Sequence, residues 1–191
     1  MPQIYIIGGA NGSGKTTTAL NLLPNVLGIY EFINADAIAV GISPLNPESV
    51  SMQAGRIMIK RLQTLANAKL DFAFESTLAA RTYAKFIQEC RAKGYIINLI
   101  YFWLHSPELA VERVAKRVAS GGHSIPEEVI RRRYDRSIKN LIKLYIPLCD
   151  DWMIFDNSTS HYKLVAKGIS EESIFIYNQH IWSEINRKAN D

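Results

Sequence analysis

The feature that most constrains the fold is an eight-residue segment near the start, Gly9–Thr16 with the sequence GANGSGKT. It fits the pattern G-x-x-x-x-G-K-[ST], which a chain of this composition matches by chance in roughly 0.4% of cases. The segment lies between an apolar run at 3–8, typical of a buried strand, and apolar residues at helical spacing from Thr16 to Leu27. Because the pattern requires this strand–turn–helix context, it predicts a phosphate-binding loop at the centre of an α/β fold.

The chemistry of the loop accounts for its residue types. Glycines let the backbone wrap around a phosphate with its N–H groups pointing inward, and the following helix offers its positive end. Lys15 is expected to reach the β- and γ-phosphates and to act in catalysis, while the Thr16 hydroxyl ligates Mg²⁺. ATP and Mg²⁺ are therefore the predicted cofactors, and the alternative is a glycine-rich turn without a ligand. The residues predicted to bind the nucleotide are Gly9, Ala10, Asn11, Gly12, Ser13, Gly14, Lys15, Thr16, Thr17 and Asn157.

Strand-like and helix-like segments alternate along the chain, which predicts parallel βαβ units covered by helices on both faces. The predicted architecture is a three-layer P-loop NTPase/kinase fold with a five-stranded, mainly parallel sheet, a helical lid, and a small C-terminal hairpin plus helix. We expect a single domain over residues 1–191. The predicted strands are Gln3–Gly8, Ile29–Asn34, Asp71–Glu75, Tyr95–Leu104 and Asp151–Asp156, with the hairpin at Tyr162–Ala166 and Ile174–Tyr177. The predicted helices are Thr16–Leu27, Pro47–Asn67, Thr82–Lys93, Pro107–Ser120, one from Pro126 towards Tyr145, and a last one to about Lys188.

Composition agrees with one ordinary globular domain in the cytoplasm. Hydrophobic residues make up 48% and charged residues 21% of the 191 positions, and basic residues exceed acidic ones by 22 to 18. Cys90 and Cys149 form no paired motif, so reduced packing thiols are expected. The N-terminus does not resemble a signal peptide. No apolar run reaches a length of about 18 residues, which a membrane span requires.

Two acidic residues follow predicted strands, at the sheet edge where α/β proteins place their ligands. Asp36 follows the second strand, where a carboxylate can accept the proton of an acceptor hydroxyl; alternatively it caps a short helix. Glu75 follows the third strand, where it would support Mg²⁺ or hold the substrate with Thr77 and Arg81 beside it; alternatively it is an exposed acid.

A basic region after the fourth strand predicts a lid over residues 113–136. Arg113 and Arg117 share a helix face, Gly121 and Gly122 form a flexible element, and four more arginines follow at 131–133 and 136. Such a lid would close over the phosphates and supply arginines for the transition state, with Arg113, Arg117 and Arg132 as the catalytic ones. The alternatives are a solvated charged face or a nucleic-acid patch. His123 is expected to be structural or to contact the substrate, since no second metal ligand lies near it.

With these residues the chain resembles the zeta-toxin-like P-loop kinase family over nearly its whole length. The resemblance is carried by GGANGSGKTT at 8–17, NAD at 34–36, NPESVSMQAGR at 46–56, FESTLA at 74–79, RVASGGHSIPEEVIRRRY at 117–134 and DNS at 156–158.

The resemblance implies an ATP- and Mg²⁺-dependent kinase that phosphorylates the sugar 3′-hydroxyl of UDP-N-acetylglucosamine. It implies that Asp36 is the general base, that Lys15 clamps the phosphates and that Arg117, first among the lid arginines, stabilises the transferring phosphate. It also implies an antitoxin partner that blocks the nucleotide site. It implies that Glu75 and Thr77 help to bind the acceptor. The full set of predicted acceptor-binding residues is Asp36, Arg56, Glu75, Thr77 and Arg81, and the predicted metal ligands are Thr16 and Glu75.

Two other functions remain compatible with the phosphate loop. One is an ATP-dependent switch or ATPase acting with nucleic acid, which the arginines favour. However, no aromatic residues are interleaved with basic ones to stack bases, so nucleic acid is not the expected partner. The other is a polynucleotide-end kinase, which shares the loop and the lid.

Overall fold

A seven-stranded mixed sheet forms the centre of the computed structural model, which describes residues 1–122, 124–169 and 173–190. The strands are β1 (Gln3–Gly9), β2 (Phe32–Ile33), β3 (Phe72–Ser76), β4 (Ile96–Trp103), β5 (Asp151–Asp156), β6 (Lys163–Ile169) and β7 (Ser173–Ile176). Their order is β2-β3-β1-β4-β5-β6-β7. The first five are parallel, whereas β6 and β7 run antiparallel to their neighbours. The predicted α/β fold is confirmed.

The predicted number of five sheet strands is too low. The C-terminal hairpin does not stand apart, because β6 pairs along the whole of β5, from Asp151 opposite Ile169 to Asp156 opposite Lys163. It therefore adds two antiparallel strands to the same sheet. The second strand is also shorter than predicted, at two residues.

Seven α-helices surround the sheet in the described part of the chain. They are α1 (Lys15–Leu22), α2 (Ala35–Ile42), α3 (Ser51–Asn67), α4 (Thr82–Ala92), α5 (Pro107–Ala119), α6 (Glu127–Asn140) and α7 (Gln179–Asn190). The start of α5 agrees with its sequence signal, since the Ser106 hydroxyl accepts from the Leu109 N–H at 3.2 Å. The predicted first helix ends early, at Leu22, and continues as a wider π-type turn around Pro24. No helix in these described segments is both long and apolar enough to cross a bilayer.

The core lies on both faces of the sheet, which explains why β1 is a continuous apolar run. Ile4 and Ile6 are fully buried in the larger cluster, which includes residues of α3, α4 and α6. Ile7 is buried in a smaller cluster with Ala19 of α1. With neither face exposed, β1 is held firmly beneath the loop that follows it.

Strand order places that loop at a switch point of the sheet. From β1 the chain passes to β2 and β3 on one side and then to β4 on the other. Connections that leave β1 and β4 in opposite directions open a crevice at the carboxyl ends of the strands, where α/β proteins bind ligands. The loop at 9–16 and the residues following β2 and β3 border this crevice.

Candidate functional site

The phosphate loop has the glycine-dependent shape that the sequence pattern predicts. Gly12 and Gly14 have φ angles of +78° and +83°, which favour glycine. A Cβ on Gly12 would lie 2.9 Å from the Ala110 carbonyl oxygen, and one on Gly14 would lie 2.6 Å from Asn157 Nδ2. Both positions therefore exclude a side chain, because α5 and the loop after β5 press against the turn.

Asn157 supports the loop from below. Its Nδ2 donates to the Ser13 carbonyl at 2.9 Å, and its backbone N–H donates to the Trp103 carbonyl at 2.9 Å. Asn157 is among the residues predicted from the sequence to bind the nucleotide. Through these two hydrogen bonds Asn157 holds the phosphate loop against the end of β4.

Lys15 lies buried under the loop, with 5% of its surface exposed. Its Nζ donates to the Ala10 carbonyl at 2.8 Å and lies 3.6 Å from Glu75 Oε1. Burial lowers the pKa of Lys15, while the charges of Glu75 and Asp36 oppose that shift. A buried cation held by one carboxylate at the mouth of a glycine loop is suited to binding phosphate oxygens.

Glu75 joins three elements through its carboxylate. Oε2 accepts from Thr16 Oγ1 at 2.7 Å and from Asn34 Nδ2 at 2.8 Å, while Oε1 faces Lys15. These oxygens suit a magnesium ion, which is commonly bound by one or two protein oxygens together with phosphates and water. Thr16 and Glu75 therefore fit the group predicted for them. The part of the chain that the structure describes contains no cluster of three or more His, Cys, Asp or Glu side chains placed for a metal.

Asn34 is a site residue that sequence analysis did not select. Its Oδ1 accepts from the N–H groups of Asp36 and Ala37 at 2.8 and 3.3 Å and so caps α2, while its Nδ2 donates to Glu75. The alternative role predicted for Asp36 was to cap a short helix. That helix is α2, but its N-cap is Asn34. An Asn immediately before an apolar helical stretch was the available signal for the cap. Nothing in the residues around Asn34 indicated its contact with Glu75, which is 41 positions away in sequence.

Replacing Asn34 with serine should separate these two roles. Serine caps a helix about as well as asparagine but cannot reach Glu75 as an amide donor. We expect the free energy of unfolding to change by less than about 1 kcal/mol and phosphoryl transfer to fall about tenfold, because Glu75 loses a charge-assisted hydrogen bond. Urea denaturation and steady-state kinetics measure the two effects. Unchanged activity in Asn34→Ser would contradict the role of the Asn34–Glu75 hydrogen bond. So would a loss of activity accompanied by a fall of much more than about 1 kcal/mol in the free energy of unfolding.

Two adjoining cavities open around these residues. One, of about 270 Å³, follows the phosphate loop; its walls are Asn11, Gly12, Gly14, Lys15, Thr16, Thr17, Asp36, Glu75, Arg113 and Arg117. The other, of about 330 Å³, extends towards α4 and α6; its walls are Asn11, Lys15, Asn34, Ala35, Asp36, Glu75, Ser76, Thr77, Ala79, Ala80, Tyr83, Arg132, Arg133 and Arg136. We call them the loop cavity and the side cavity. Asn11, Lys15, Asp36 and Glu75 belong to both.

The arginines selected from the sequence divide between different places. Arg113 and Arg117 line the loop cavity. Arg132 lines the side cavity instead. Arg56 and Arg81 are exposed and lie on the wall of neither cavity, although Thr77 does line the side cavity. His123, predicted to be structural or substrate-contacting, lies outside the described residues.

The family follows from comparison with known proteins. The model of the family described as Zeta toxin matches residues 1–162. The chain belongs to the Zeta toxin family. That family model places the chain among the P-loop kinases. A relative from Haemophilus influenzae (strain Rd), described as an uncharacterized protein, is 32% identical over 126 residues, which are 66% of this chain and 88% of the relative.

Solved structures similar to this chain share its fold at low sequence identity. A chain from the AvrRxo1-ORF1:AvrRxo1-ORF2 complex with sulphate ions has a TM-score of 0.77 and 15% identity. The match covers 97% of the present chain and 63% of that one, so this chain spans less than two thirds of its length. A chain from the PezAT toxin–antitoxin system of Streptococcus pneumoniae has a TM-score of 0.64 and 15% identity, with 100% and 87% covered. A putative kinase from Chloroflexus aurantiacus has a TM-score of 0.56 and 22% identity, with 70% and 76% covered.

Proposed function

We propose that this protein transfers the γ-phosphate of ATP to a hydroxyl group of a small anionic metabolite. The observation that carries the proposal is that the loop cavity and the side cavity meet at Lys15, Asp36 and Glu75. A phosphate donor bound to the loop would end at the entrance of the side cavity, next to a carboxylate. A protein that only hydrolyses ATP needs room for no more than water beside the γ-phosphate. The side cavity, with a volume of about 330 Å³, has room for a compact second substrate.

The residues have distinct roles in this reaction. Asp36 accepts the proton of the acceptor hydroxyl, and the oxygen of that hydroxyl forms a bond to the γ-phosphorus. The bond between the γ-phosphorus and the β–γ bridging oxygen breaks, and ADP leaves with that oxygen. Lys15 holds the donor phosphates, and Arg113 and Arg117 stabilise the charge that spreads over the transferred group. Thr16 and Glu75 would hold Mg²⁺, which neutralises phosphate charge when it is bound. Thr77 contributes to the acceptor side, where it lines the cavity.

UDP-N-acetylglucosamine is the acceptor that we propose to test first, since it is the one that the resemblance to zeta toxins implies. The related AvrRxo1-ORF1:-ORF2 complex has been crystallised with ATP, which supports ATP as the donor. PezAT is described as a toxin–antitoxin system, which supports a protein partner for this chain. That the partner covers the nucleotide site is what the resemblance to zeta toxins implies. We place the reaction in the cytoplasm.

The test measures ADP release by the purified protein with ATP and Mg²⁺, with and without UDP-N-acetylglucosamine, and identifies the phosphorylated product by mass spectrometry. We expect acceptor-dependent ADP release and one added phosphoryl group on the sugar. ADP release without any change in UDP-N-acetylglucosamine would reject this acceptor. Hydrolysis stimulated by DNA or RNA, with no phosphorylated product, would reject the kinase and favour the switch.

A further inference from the structure

Helix α7 reaches the carboxyl end of β4 through the side chain of Lys188. Its Nζ donates to the His105 carbonyl at 2.9 Å and to Tyr134 Oη at 3.2 Å. It also lies 3.1 Å from Glu184 Oε1 and 5.9 Å from the centroid of the Trp103 ring. A lysine ammonium has three N–H donors, and these three oxygen acceptors can use all of them. Lys188 therefore joins α7 to α6 and to the segment between β4 and α5.

Three consecutive carbonyl groups are held by hydrogen bonds where β4 ends. The Trp103 carbonyl accepts from a backbone N–H of the loop after β5 at 2.9 Å. The Leu104 carbonyl accepts from Tyr134 Oη at 2.7 Å, and the His105 carbonyl accepts from Lys188. Side chains of α6 and α7 thus fix the backbone of this segment just before α5 begins.

The same segment holds the loop that follows β5 and, through it, an arginine of the loop cavity. The His105 N–H donates to Ser158 Oγ at 2.9 Å, and that hydroxyl also contacts Asp156. Arg113 Nη2 donates to the Ser158 carbonyl at 3.2 Å. Three hydrogen bonds in series therefore lead from Lys188 to Arg113 by way of two intervening residues.

The two ends of this series differ in their relation to the nucleotide site. Arg113 lines the loop cavity, whereas Lys188 lies on the wall of neither cavity. A guanidinium has five N–H donors, so one hydrogen bond to the Ser158 carbonyl can orient Arg113 and leave donors for phosphate oxygens. Any effect of Lys188 on a bound nucleotide must pass through the residues that it contacts.

We propose that Lys188 is a positioning residue for the nucleotide site, where it acts through His105 and Ser158 to orient Arg113 towards the donor phosphates. The inference rests on the proposed function, in which Arg113 stabilises the charge of the transferred phosphate. An arginine that is already oriented loses less conformational entropy when it binds an anion, so this arrangement strengthens nucleotide binding. It extends the site to α7, which lies beyond residue 162, where the match to the family model ends.

Isothermal titration calorimetry with the non-hydrolysable ATP analogue AMP-PNP and Mg²⁺ tests the proposal without a known acceptor. We expect Lys188→Met to weaken AMP-PNP binding about fivefold, because the His105 carbonyl loses its charged donor. Lys188→Arg keeps a charged donor and should bind within about twofold of the unaltered protein. Lys139→Met, at an exposed position of α6, is the matched control and should bind as the unaltered protein does. Urea denaturation verifies that each variant is folded.

A double-mutant cycle with Arg113→Gln separates positioning from a purely structural role. If Lys188 acts through Arg113, Lys188→Met should weaken binding by less than about twofold once residue 113 is glutamine. An undiminished effect of about fivefold in that background would show that Lys188 acts by another route, and the proposal would be wrong. Equal binding of AMP-PNP by Lys188→Met and the unaltered protein would also overturn it.

The outcomes distinguish this inference from the proposed function. AMP-PNP binding with no phosphoryl transfer to any acceptor would overturn the proposed function alone, because the cycle depends only on nucleotide binding. Phosphoryl transfer together with additive effects in the cycle would overturn the positioning role alone. Failure of AMP-PNP to bind the unaltered protein would overturn both.

Discussion

Replacing Asp36 with asparagine is expected to slow phosphoryl transfer by about 10²–10⁴-fold while ATP still binds. Asp36 lies in the first turn of α2, where both cavities meet, and an amide of the same size cannot accept the proton of the acceptor hydroxyl. The loop residues that hold the nucleotide remain unchanged in this variant. The measurements are the turnover number for acceptor-dependent ADP release and the dissociation constant of ATP.

Asp135→Asn is the matched control for that experiment. Asp135 is exposed on α6 and lies on the wall of neither cavity, so its replacement removes a carboxylate without touching the site. It should retain the activity of the unaltered protein. Full transfer activity in Asp36→Asn would show that another group accepts the proton, and the assignment of the base would be wrong.

Lys15→Met is expected to have the other large effect, a loss of about 10²–10³-fold in kcat/KM for ATP. Methionine fills a similar volume but offers no charge to the phosphates, and Lys15 is the buried cation of the loop. Glu75 also loses its ion-pair partner at 3.6 Å. Lys60→Met, a change at an exposed position of α3, is the control and should behave as the unaltered protein does. Equal activity of the two variants would contradict the role of Lys15.

The same lysine predicts how nucleotide binding depends on pH. Lys15 attracts phosphate only when it is protonated, and burial lowers its pKa from the ordinary value of 10.5. As the pH rises, the free protein therefore loses this charge earlier than an exposed lysine would. We expect ATP affinity to decline with rising pH from a point below 10.5, and this decline to be absent in Lys15→Met. Titration calorimetry over a pH series measures it.

The phosphate loop was predictable because its shape is set locally. The positive φ angles at Gly12 and Gly14, and the lysine at the first position of α1, are all encoded within eight consecutive residues. The strand on one side and the helix on the other add local signals of their own. For the same reason the parallel α/β fold could be predicted from the alternation of elements.

Features that depend on distant pairings were not predictable in the same way. Asn34 reaches Glu75 because β2 pairs with β3, with Ile33 opposite Phe74, and the two residues are 41 positions apart in sequence. The strand count was too low since pairing between β5 and β6 decides whether a hairpin extends a sheet or stands alone.

The arginines show a third limit. Helical spacing predicts how Arg131, Arg132 and Arg133 are oriented relative to one another, but not which of them faces a cavity. That depends on how α6 packs against α5, where Arg131 contacts Glu108. Arg132, predicted from the sequence as one of the catalytic lid arginines, lines the side cavity.

Transfer of labelled phosphate tests the central claim most directly. The protein is incubated with Mg²⁺ and ATP carrying a radiolabel on the γ-phosphate, together with separate panels of sugar nucleotides, sugar phosphates, nucleosides and RNA ends. Lys15→Met serves as the blank. We predict that the label appears on a phosphorylated small molecule with a free hydroxyl, and only with the unaltered protein. Label released solely as inorganic phosphate, whichever compound is present, would contradict the account.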